Sequence, residues 1–257
     1  MKHIIIGNGN LGFSFAKELL ERNETVKILS ASNGWRYPTN LDEIHSYAPD
    51  HVWVTVGAGS IEQARSNFNP FADLHIRLPV ELAQTLNNNV TLHVFSTDYV
   101  IQANNLYALS KIFMENALNV INRPKTYIYR VGSLYGTYKP HKCFPYKLKK
   151  NSLTNEKISL PSNHICPTPT DWIAKTILNM DKEFFRTYTI APRGEVSVKE
   201  WGEIILKRPL DCNGIDKSRP DEVTYAVCPP SVQSPTWLDL WQEREKEWQE
   251  ILEKVLK

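Results

Sequence analysis

Apolar positions in the first half of the chain follow two alternating patterns, one typical of buried strands and one typical of amphipathic helices. The first six residues end in a run of isoleucines and predict a buried strand, whereas residues 13–22 place their apolar side chains on one helical face. The same patterns predict strands at residues 25–29, 51–56, 91–95 and 126–129, and helices at residues 78–86 and 107–120. Strands that alternate with helices predict an α/β fold with a doubly wound parallel sheet.

After about residue 131 the pattern loosens, because prolines interrupt it repeatedly. We therefore expect a first domain over residues 1–135, to which later parts of the chain can return, and a smaller C-terminal lobe over residues 136–257. The clearest helices of the lobe are residues 170–180 and 201–207, and the second follows a capping-box pair, Ser197 and Glu200.

The segment 237–257 carries one apolar stripe on an otherwise charged helix. The stripe comprises Trp237, Leu240, Trp241, Trp248, Ile251, Leu252 and Val255. Two interpretations are open: a terminal helix that docks on the core of its own chain, which we favour, or the interface of a homodimer.

Composition excludes several classes of protein. Charged residues make up 23% of the 257 residues and the formal net charge is +2, which argues against disorder and against a nucleic-acid-binding protein. The chain shows no secretion signal and no apolar run long enough for a bilayer, so we expect a cytoplasmic protein with no membrane association. The histidines lack the close spacing of a metal site. The four cysteines are widely spaced, as is typical of reduced thiols: Cys143, Cys166, Cys212 and Cys228.

A glycine-rich turn joins the first predicted strand to the first predicted helix. Its glycines have the G-x-G-x-x-G spacing that lets the diphosphate of a dinucleotide approach backbone N–H groups at a helix N-terminus. A turn that serves only packing is the alternative. We assign cofactor binding to the whole turn: Gly7, Asn8, Gly9, Asn10, Leu11 and Gly12.

The residues after the second strand bear on which dinucleotide binds. About 20 residues beyond the turn, NAD-binding domains carry an acidic residue that contacts the ribose 2′-hydroxyl. This chain has Ser30, Ser32 and Arg36 there instead. Hydroxyls and an arginine suit a 2′-phosphate, so we expect NADP as the cofactor, with NAD possible and with Arg36 as a solvated loop residue in the alternative interpretation.

Three side chains near residue 100 are of the types needed to reduce a carbonyl group. Tyr107 and Lys111 lie four residues apart and share one helical face, where the ammonium would favour a phenolate. Thr97 adds a hydroxyl that could hydrogen-bond the same carbonyl. This spacing is common on ordinary helices, so the chemistry depends on the rest of the chain.

Four segments together resemble the extended short-chain dehydrogenase/reductases, and within them the dTDP-4-dehydrorhamnose reductases. They are Gly7-Asn-Gly-Asn-Leu-Gly12, Phe95-Ser-Thr-Asp-Tyr-Val100, Tyr107-Ala-Leu-Ser-Lys111 and Arg130-Val-Gly-Ser-Leu-Tyr-Gly136. The Ser-Thr-Asp-Tyr-Val run is the most specific of them. Residues 165–171 resemble a later Pro-Thr segment of the same family, so the resemblance covers roughly residues 1–180.

The resemblance implies an NAD(P)-binding domain of Rossmann type at residues 1–135, a substrate-binding lobe at residues 136–257, and a nucleotide-linked 4-keto-6-deoxy sugar as substrate. Thr97 would polarise the ketone and Tyr107 would donate the proton, while Lys111 would hold the nicotinamide ribose and lower the pKa of Tyr107. The further implied contacts are Gly57 and Ala58 beneath the cofactor, Ser96 near the nicotinamide, and Ser133 at the substrate.

Two departures from the family pattern concern the substrate. The loop between the Ser-Thr-Asp-Tyr-Val run and Tyr107 is reduced to residues 101–106, so part of the substrate wall is missing. Leu134 replaces an aromatic residue of the family. We expect the reactive side chains of an ordinary reductase in a substrate pocket with a more open entrance.

A basic stretch from residue 116 to residue 155 contains no Asp or Glu. Its local positive charge could receive a diphosphate-linked sugar, and we assign Lys147 and Lys150 to the substrate. An exposed, solvated surface is an equally acceptable interpretation, and stacking of single-stranded nucleic acid on the interleaved aromatic residues ranks lower.

Three functions remain open. The first is an NAD(P)H-dependent reductase of a nucleotide-linked 4-keto-6-deoxy sugar. The second is a nucleotide-sugar epimerase or dehydratase, which uses the same tyrosine and lysine but regenerates its oxidised cofactor. The third is a non-catalytic NADP-binding subunit similar to the regulatory subunit of methionine adenosyltransferase, which would explain the short loop but not the retention of all three reactive side chains.

Overall fold

The fold is described from a computed structural model, which covers residues 1–57, 61–102, 104–154, 157–182, 186–216 and 234–254. Six strands form the central sheet: β1 (Lys2–Ile6), β2 (Thr25–Leu29), β3 (His51–Val54), β4 (Thr91–Thr97), β5 (Thr126–Val131) and β10 (Thr187–Thr189). Six two-residue strands form small ribbons: β6 (Leu134–Tyr135), β7 (Ser159–Leu160), β8 (His164–Ile165), β9 (Thr168–Pro169), β11 (Val196–Ser197) and β12 (Asp211–Cys212).

The helices cover both faces of the sheet and build the second lobe. In chain order they are α1 (Asn10–Glu21), α2 (Asp42–Tyr47), α3 (Ile61–Ser66), α4 (Asn69–Phe71), α5 (Leu78–Thr85), α6 (Leu106–Ile121), α7 (Phe144–Ser152), α8 (Thr170–Asn179), α9 (Val198–Leu206) and α10 (Trp237–Glu253).

The central sheet is parallel throughout, with the strand order β10-β5-β4-β3-β1-β2. The chain leaves β1 toward β2 on one side and returns to β3 on the other, so the direction of strand order switches between β1 and β3. A parallel sheet with such a switch binds ligands at the carboxyl ends of the strands on either side of it. The predicted α/β fold with a doubly wound parallel sheet is confirmed.

Two apolar layers lie on the two faces of the sheet. Ile5 packs toward α1 and α8 in one core, whereas Ile4 and Ile6 pack toward α5 and α6 in the other. Because both faces are covered, β1 reads as a continuous apolar run rather than as an alternating one. This explains why the sequence pattern identified the inner strands so directly.

The chain after residue 135 contributes to both parts of the molecule. Helix α8 packs on α1, and β10 adds the sixth strand beside β5. The remainder forms a smaller lobe around a third core, in which Tyr135, Trp201, Trp241 and Trp248 are buried together. The capping box predicted before α9 is confirmed: Glu200 N donates to Ser197 Oγ at 3.1 Å, and Ser197 N donates to Glu200 Oε2 at 3.0 Å.

The apolar stripe of α10 packs on its own chain, as we favoured. Leu240 belongs to the core on the sheet, while Trp241 and Trp248 belong to the core of the smaller lobe. Arg244 on the same helix donates to both carboxylate oxygens of Asp171 at the start of α8, at 2.7 to 3.2 Å. Val255 of the predicted stripe lies outside the described residues.

The helix predicted over residues 78–86 is confirmed as α5 (Leu78–Thr85), and further helical turns lead directly into it. Pro79 lies in the first turn of α5, where proline is tolerated. In the structure α4 runs into a π-helical turn (Ala72–Arg77) that continues directly into α5. The π-helical turn ends just before Pro79, which has no backbone N–H group. Single π-helical turns are frequent at functional sites.

Cys143, Cys166 and Cys212 are free thiols, and Cys228 lies outside the described residues. Across the part of the chain that the structure describes, no helix has both the length and the apolar character needed to cross a membrane.

Candidate active site

A groove runs along the carboxyl ends of the sheet strands, on both sides of the switch between β1 and β3. It consists of two adjoining pockets of about 500 Å³ each. The first contains the glycine turn and the residues that follow β2, and the second contains the ends of β4 and β5 and the start of α6. The residues shared by both pockets are Gly9, Thr55, Val56, Gly57 and Lys142.

The glycine turn is shaped by close packing at two glycines and by open space at the third. Gly7 has a φ of +119°, and a Cβ on Gly12 would lie 2.1 Å from the carbonyl oxygen of Gly7. At Gly9 a Cβ would meet nothing within 4 Å. Gly9 caps α1 without a side-chain hydrogen bond, so the first N–H groups of the helix remain available to an anion. These features fit a dinucleotide diphosphate.

Thr55 fastens the glycine turn to the end of β3, a role that the sequence analysis did not assign. Its Oγ1 donates to the carbonyl oxygen of Ile6 at 3.0 Å and lies 3.3 Å from that of Gly7. Gly57 lines both pockets beside it. Ala58, which was expected beneath the cofactor, lies outside the described residues.

Asn10 lines the second pocket, but its amide is engaged by a distant loop, so its assignment to the cofactor stays a prediction. Its Oδ1 accepts from the backbone N–H of Lys139 at 2.6 Å, and its Nδ2 donates to the Lys139 carbonyl oxygen at 3.1 Å and to Cys143 Sγ at 3.2 Å. The amide therefore holds a distant loop against the start of α1. Leu11 lines the second pocket, and Asn8 lines the first.

The three residues expected at the ribose 2′-position line the first pocket together. Ser30 Oγ and Ser32 Oγ are 2.8 Å apart, and Arg36 Nη1 donates to the Ala31 carbonyl oxygen at 2.7 Å. The described carboxylate in this pocket, Asp73, pairs with Arg77 at 2.7 Å. Two hydroxyls and a guanidinium fit a 2′-phosphate better than a 2′-hydroxyl.

The second pocket brings Thr97, Tyr107, Lys111 and Ser133 together. The hydroxyls of Thr97 and Tyr107 interact, and this interaction favours the Tyr107 phenolate. Thr97 Oγ1 donates to Asp98 Oδ1 at 3.0 Å and accepts from the backbone N–H of Tyr99 at 3.3 Å. The sequence-predicted reactive side chains therefore converge.

Tyr107 keeps its proton at neutral pH. Burial raises the pKa of Tyr107 above its ordinary value, the charges of Asp98 and Tyr99 raise it further, and the hydrogen bond with Thr97 lowers it in part. The phenol is thus a proton donor in this geometry.

The expectation that Lys111 lowers the pKa of Tyr107 is wrong for this arrangement. Lys111 Nζ donates to the carbonyl oxygen of Phe95 at 2.8 Å, and it does not contribute to the pKa shift of Tyr107. Burial lowers the pKa of Lys111 to about 8, with Glu115 acting in the opposite direction. The lysine is held against β4 rather than against the phenol.

Ser96 lines the second pocket, but its hydroxyl is engaged. Ser96 Oγ donates to Glu115 Oε1 at 2.5 Å, and Arg130 donates to both oxygens of the same carboxylate at 2.6 to 3.2 Å. This network connects α6 to β4 and β5. It fixes the helix that carries Tyr107 and Lys111.

His75 is a pocket residue that sequence reasoning missed. It is 1% exposed, lines the second pocket, and places its ring edge-on to that of Tyr107 at 5.4 Å between centroids. Ser110 Oγ donates to the Tyr107 carbonyl oxygen at 2.7 Å, so it accepts from His75 Nδ1 at 3.0 Å. Burial lowers the pKa of His75 to about 2, with the charge of Lys111 adding to the effect, and the ring is neutral.

Lys147 and Lys150 do not line the groove, contrary to expectation. Both are exposed on α7, whereas Lys139 lines the first pocket and Lys142 lines both. The basic stretch does reach the site, but through the loop that Asn10 holds. Among the described residues, no group of three or more His, Cys, Asp or Glu side chains is placed to hold a metal ion.

Known structures share this architecture. A dTDP-4-dehydrorhamnose reductase from Bacillus anthracis, in complex with NADP, is similar with a TM-score of 0.79 and 19% identity over 96% of this chain and 99% of that one. The reductase from Clostridium acetobutylicum has a TM-score of 0.79 and 18% identity over 98% and 100%. The chain has the fold of these reductases.

The same fold extends to epimerases. A Thermus thermophilus UDP-glucose 4-epimerase in complex with NAD has a TM-score of 0.71 and 14% identity over 95% of this chain and 93% of that one. No protein-family model and no curated protein sequence matches the chain. The resemblance seen in the sequence is confirmed at the level of the fold.

Proposed function

We propose that the protein is an NADPH-dependent reductase of a nucleotide-linked 4-keto-6-deoxy sugar. One observation carries the proposal: the hydroxyls of Thr97 and Tyr107 lie together in a pocket that adjoins the glycine turn. Such a groove can hold a carbonyl group beside a proton donor and beside a dinucleotide at once. The NADP complex of the Bacillus anthracis reductase supports the choice of cofactor.

The first pocket would hold the cofactor through its shape and charge. Gly9 leaves room for the diphosphate at the N-terminus of α1, and Ser30, Ser32 and Arg36 would bind the 2′-phosphate. Lys111 uses one of its three N–H groups on Phe95, so the others can reach the ribose hydroxyls. When bound, the nicotinamide cofactor supplies the hydride for the reduction.

The chain itself supplies the proton and the polarising hydrogen bond. Tyr107 holds the proton at Oη and gives it to the carbonyl oxygen of the sugar as that oxygen gains charge. Thr97 can polarise the same carbonyl when its own proton turns from Asp98 Oδ1 to the substrate. Ser133 lines the same pocket and would contact the sugar.

The test is reduction of dTDP- and UDP-linked 4-keto-6-deoxy sugars, followed as loss of NADPH absorbance. We expect turnover by the wild-type protein and a fall in kcat on the order of a hundredfold or more in Tyr107→Phe, since general acid catalysis typically contributes that much. Tyr47→Phe removes a hydroxyl from a tyrosine outside both pockets and should leave turnover unchanged. A wild-type protein that leaves NADPH unchanged with the whole panel would contradict the proposal.

An epimerase is the second candidate, because the Thermus thermophilus UDP-glucose 4-epimerase shares the fold. That activity needs no net consumption of NADPH, and its cofactor would remain with the protein through purification. Interconversion of a nucleotide sugar without NADPH loss would support it. If wild type and Tyr107→Phe bind NADPH equally and neither turns over any sugar, a non-catalytic subunit is supported instead.

A further inference from the structure

A loop from residue 136 to residue 143 crosses the start of α1 and carries two lysines to the groove. We call it the strap. Lys139 lines the first pocket with Asn8 and Gly9, and Lys142 lines the border shared by both pockets. Neither lysine belongs to the glycine turn, and both come from a part of the chain well over a hundred residues later. Their position next to the turn is therefore a product of the strap.

Three contacts fix the strap on α1. Asn10 binds the backbone of Lys139 at both its N–H and its carbonyl group, at 2.6 and 3.1 Å. The rings of Phe13 and Tyr138 stack at 3.8 Å with an interplanar angle of 2°. A Cβ at Gly136 would lie 2.5 Å from Thr170 Oγ1 and 2.9 Å from Asn10 Cβ, so the strap approaches the helices as closely as a glycine allows.

The side chain of Lys139 is directed at the glycine turn. Its Nζ donates to the carbonyl oxygen of Asn8 and lies 5.0 Å from the centroid of the Tyr138 ring. An ammonium group has three N–H donors, and the Asn8 carbonyl uses one of them. Within the described part of the chain, no carboxylate forms an ion pair with Lys139 or Lys142. Two ammonium groups thus stand beside the turn without a compensating anion.

We propose that Lys139 and Lys142 bind the diphosphate of the dinucleotide, together with the N-terminus of α1. The inference rests on the proposed function, which requires a dinucleotide in the first pocket. A helix N-terminus carries roughly half a unit of positive charge, whereas a diphosphate linkage carries two negative charges. Two lysines supply the missing charge, and the contacts of Asn10 and Tyr138 orient one of them before the ligand arrives.

Binding measurements with three ligands separate this role from recognition of the 2′-phosphate. NADPH and 2′-phospho-ADP-ribose contain the diphosphate, whereas adenosine 2′-phosphate contains only the group assigned to Arg36. Dissociation constants are measured by titration calorimetry at low and at high salt. For Lys139→Met we expect about tenfold weaker binding of the first two ligands and unchanged binding of adenosine 2′-phosphate, as for the loss of one charge-assisted contact. Lys142→Met should weaken the same two ligands about threefold, because its side chain is exposed.

Matched controls come from the same basic stretch. Lys147→Met and Lys150→Met remove equal charges from α7, outside both pockets, and should leave all three dissociation constants unchanged. Lys139→Arg keeps the charge and should retain most of the affinity. The salt dependence of NADPH binding should be smaller in Lys139→Met than in the wild type, since one ionic contact is gone.

Asn10→Ala tests whether the strap positions the lysine. It should weaken NADPH binding as much as Lys139→Met does, and the double variant should be no weaker than either one, because both changes remove the same contact. Thermal unfolding of each variant shows whether it is folded. If Asn10→Ala does not fold, the comparison of Lys139→Met with Lys139→Arg still decides the question.

The outcomes distinguish this inference from the proposed function. A wild-type protein that binds none of the three ligands overturns both. Equal NADPH affinities in Lys139→Met, Lys150→Met and the wild type overturn the role of the strap while the reductase remains. A loss that is as large for adenosine 2′-phosphate as for NADPH would also contradict it, because the lysine would then not act on the diphosphate.

Discussion

The two pockets of the groove differ in how their chemistry arises. The first is built from the turn after β1 and the segment after β2, and its groups for a ligand are backbone N–H groups, hydroxyls and cations. The second is built from β4, α6 and β5, and its titratable groups are buried with shifted pKa values. Under the proposed function, binding in the first pocket would follow from its shape, whereas reactivity in the second would follow from desolvation.

The largest effect is expected where the first pocket depends on shape. Gly12→Ala places a Cβ 2.1 Å from the Gly7 carbonyl oxygen, so we expect a loss of about 3 kcal/mol in the free energy of unfolding and no measurable NADPH binding. Gly9→Ala meets open space and should change stability by less than about 0.5 kcal/mol while it still weakens NADPH binding. Chemical denaturation and calorimetry measure the two quantities. Equal destabilisation by the two substitutions would show that the turn is not shaped as described.

Turnover in the second pocket should depend on pH, whereas ligand binding in the first pocket should not. Burial lowers the pKa of Lys111 to about 8, so the ammonium loses its proton as the pH rises through 8. We expect kcat to fall above that pH, approaching about tenfold per unit, because the neutral amine is a poorer partner for the ribose and the active site. Binding of adenosine 2′-phosphate to the first pocket should not follow this profile.

Lys111→Arg provides the control for that profile. An arginine stays charged throughout the range, so the loss of kcat near pH 8 should disappear even if the maximal rate is lower. If the arginine variant keeps the same alkaline loss, another group is responsible for it.

The smallest effect is expected from His75, which acts on Tyr107 through Ser110 and through ring packing. His75→Phe keeps an aromatic ring but removes the N–H group that donates a hydrogen bond to Ser110 Oγ. We expect kcat to fall about fivefold with KM unchanged, as for the loss of one net hydrogen bond. His75→Asn can restore the N–H donor and should recover part of the rate. A change in KM alone would place His75 at the substrate instead.

The contrast between the pockets also explains what could be predicted from the sequence. The glycine turn and the pair Tyr107 and Lys111 were identified because their spacing is local and their elements are strongly periodic. The direction of Lys111 was not, since β4 continues to Thr97 and presents the Phe95 carbonyl to it. Neither burial nor a competing acceptor can be read from a four-residue spacing.

Two other differences have topological causes. The sequence shows the basic stretch, but it does not show which of its lysines reaches the groove. Lys139 reaches it, rather than Lys147 or Lys150, because Asn10 binds its backbone across well over a hundred residues. His75 lies in a π-helical turn, and such a turn has no sequence signature beyond the nearby proline. Assignments that depend on long-range contacts therefore need the structure.

Helix α10 has a consequence for the order in which the protein can fold during synthesis. Leu240 fills the core beneath the sheet, and Arg244 closes an ion pair with Asp171 at the start of α8. Five of the six strands of the sheet are translated by Val131, yet the core of the sheet stays incomplete until the ribosome has translated a segment about a hundred residues after the last strap residue. A nascent chain interrupted before α10 would leave apolar surface of the sheet core uncovered, and we expect such a chain to aggregate or to bind chaperones.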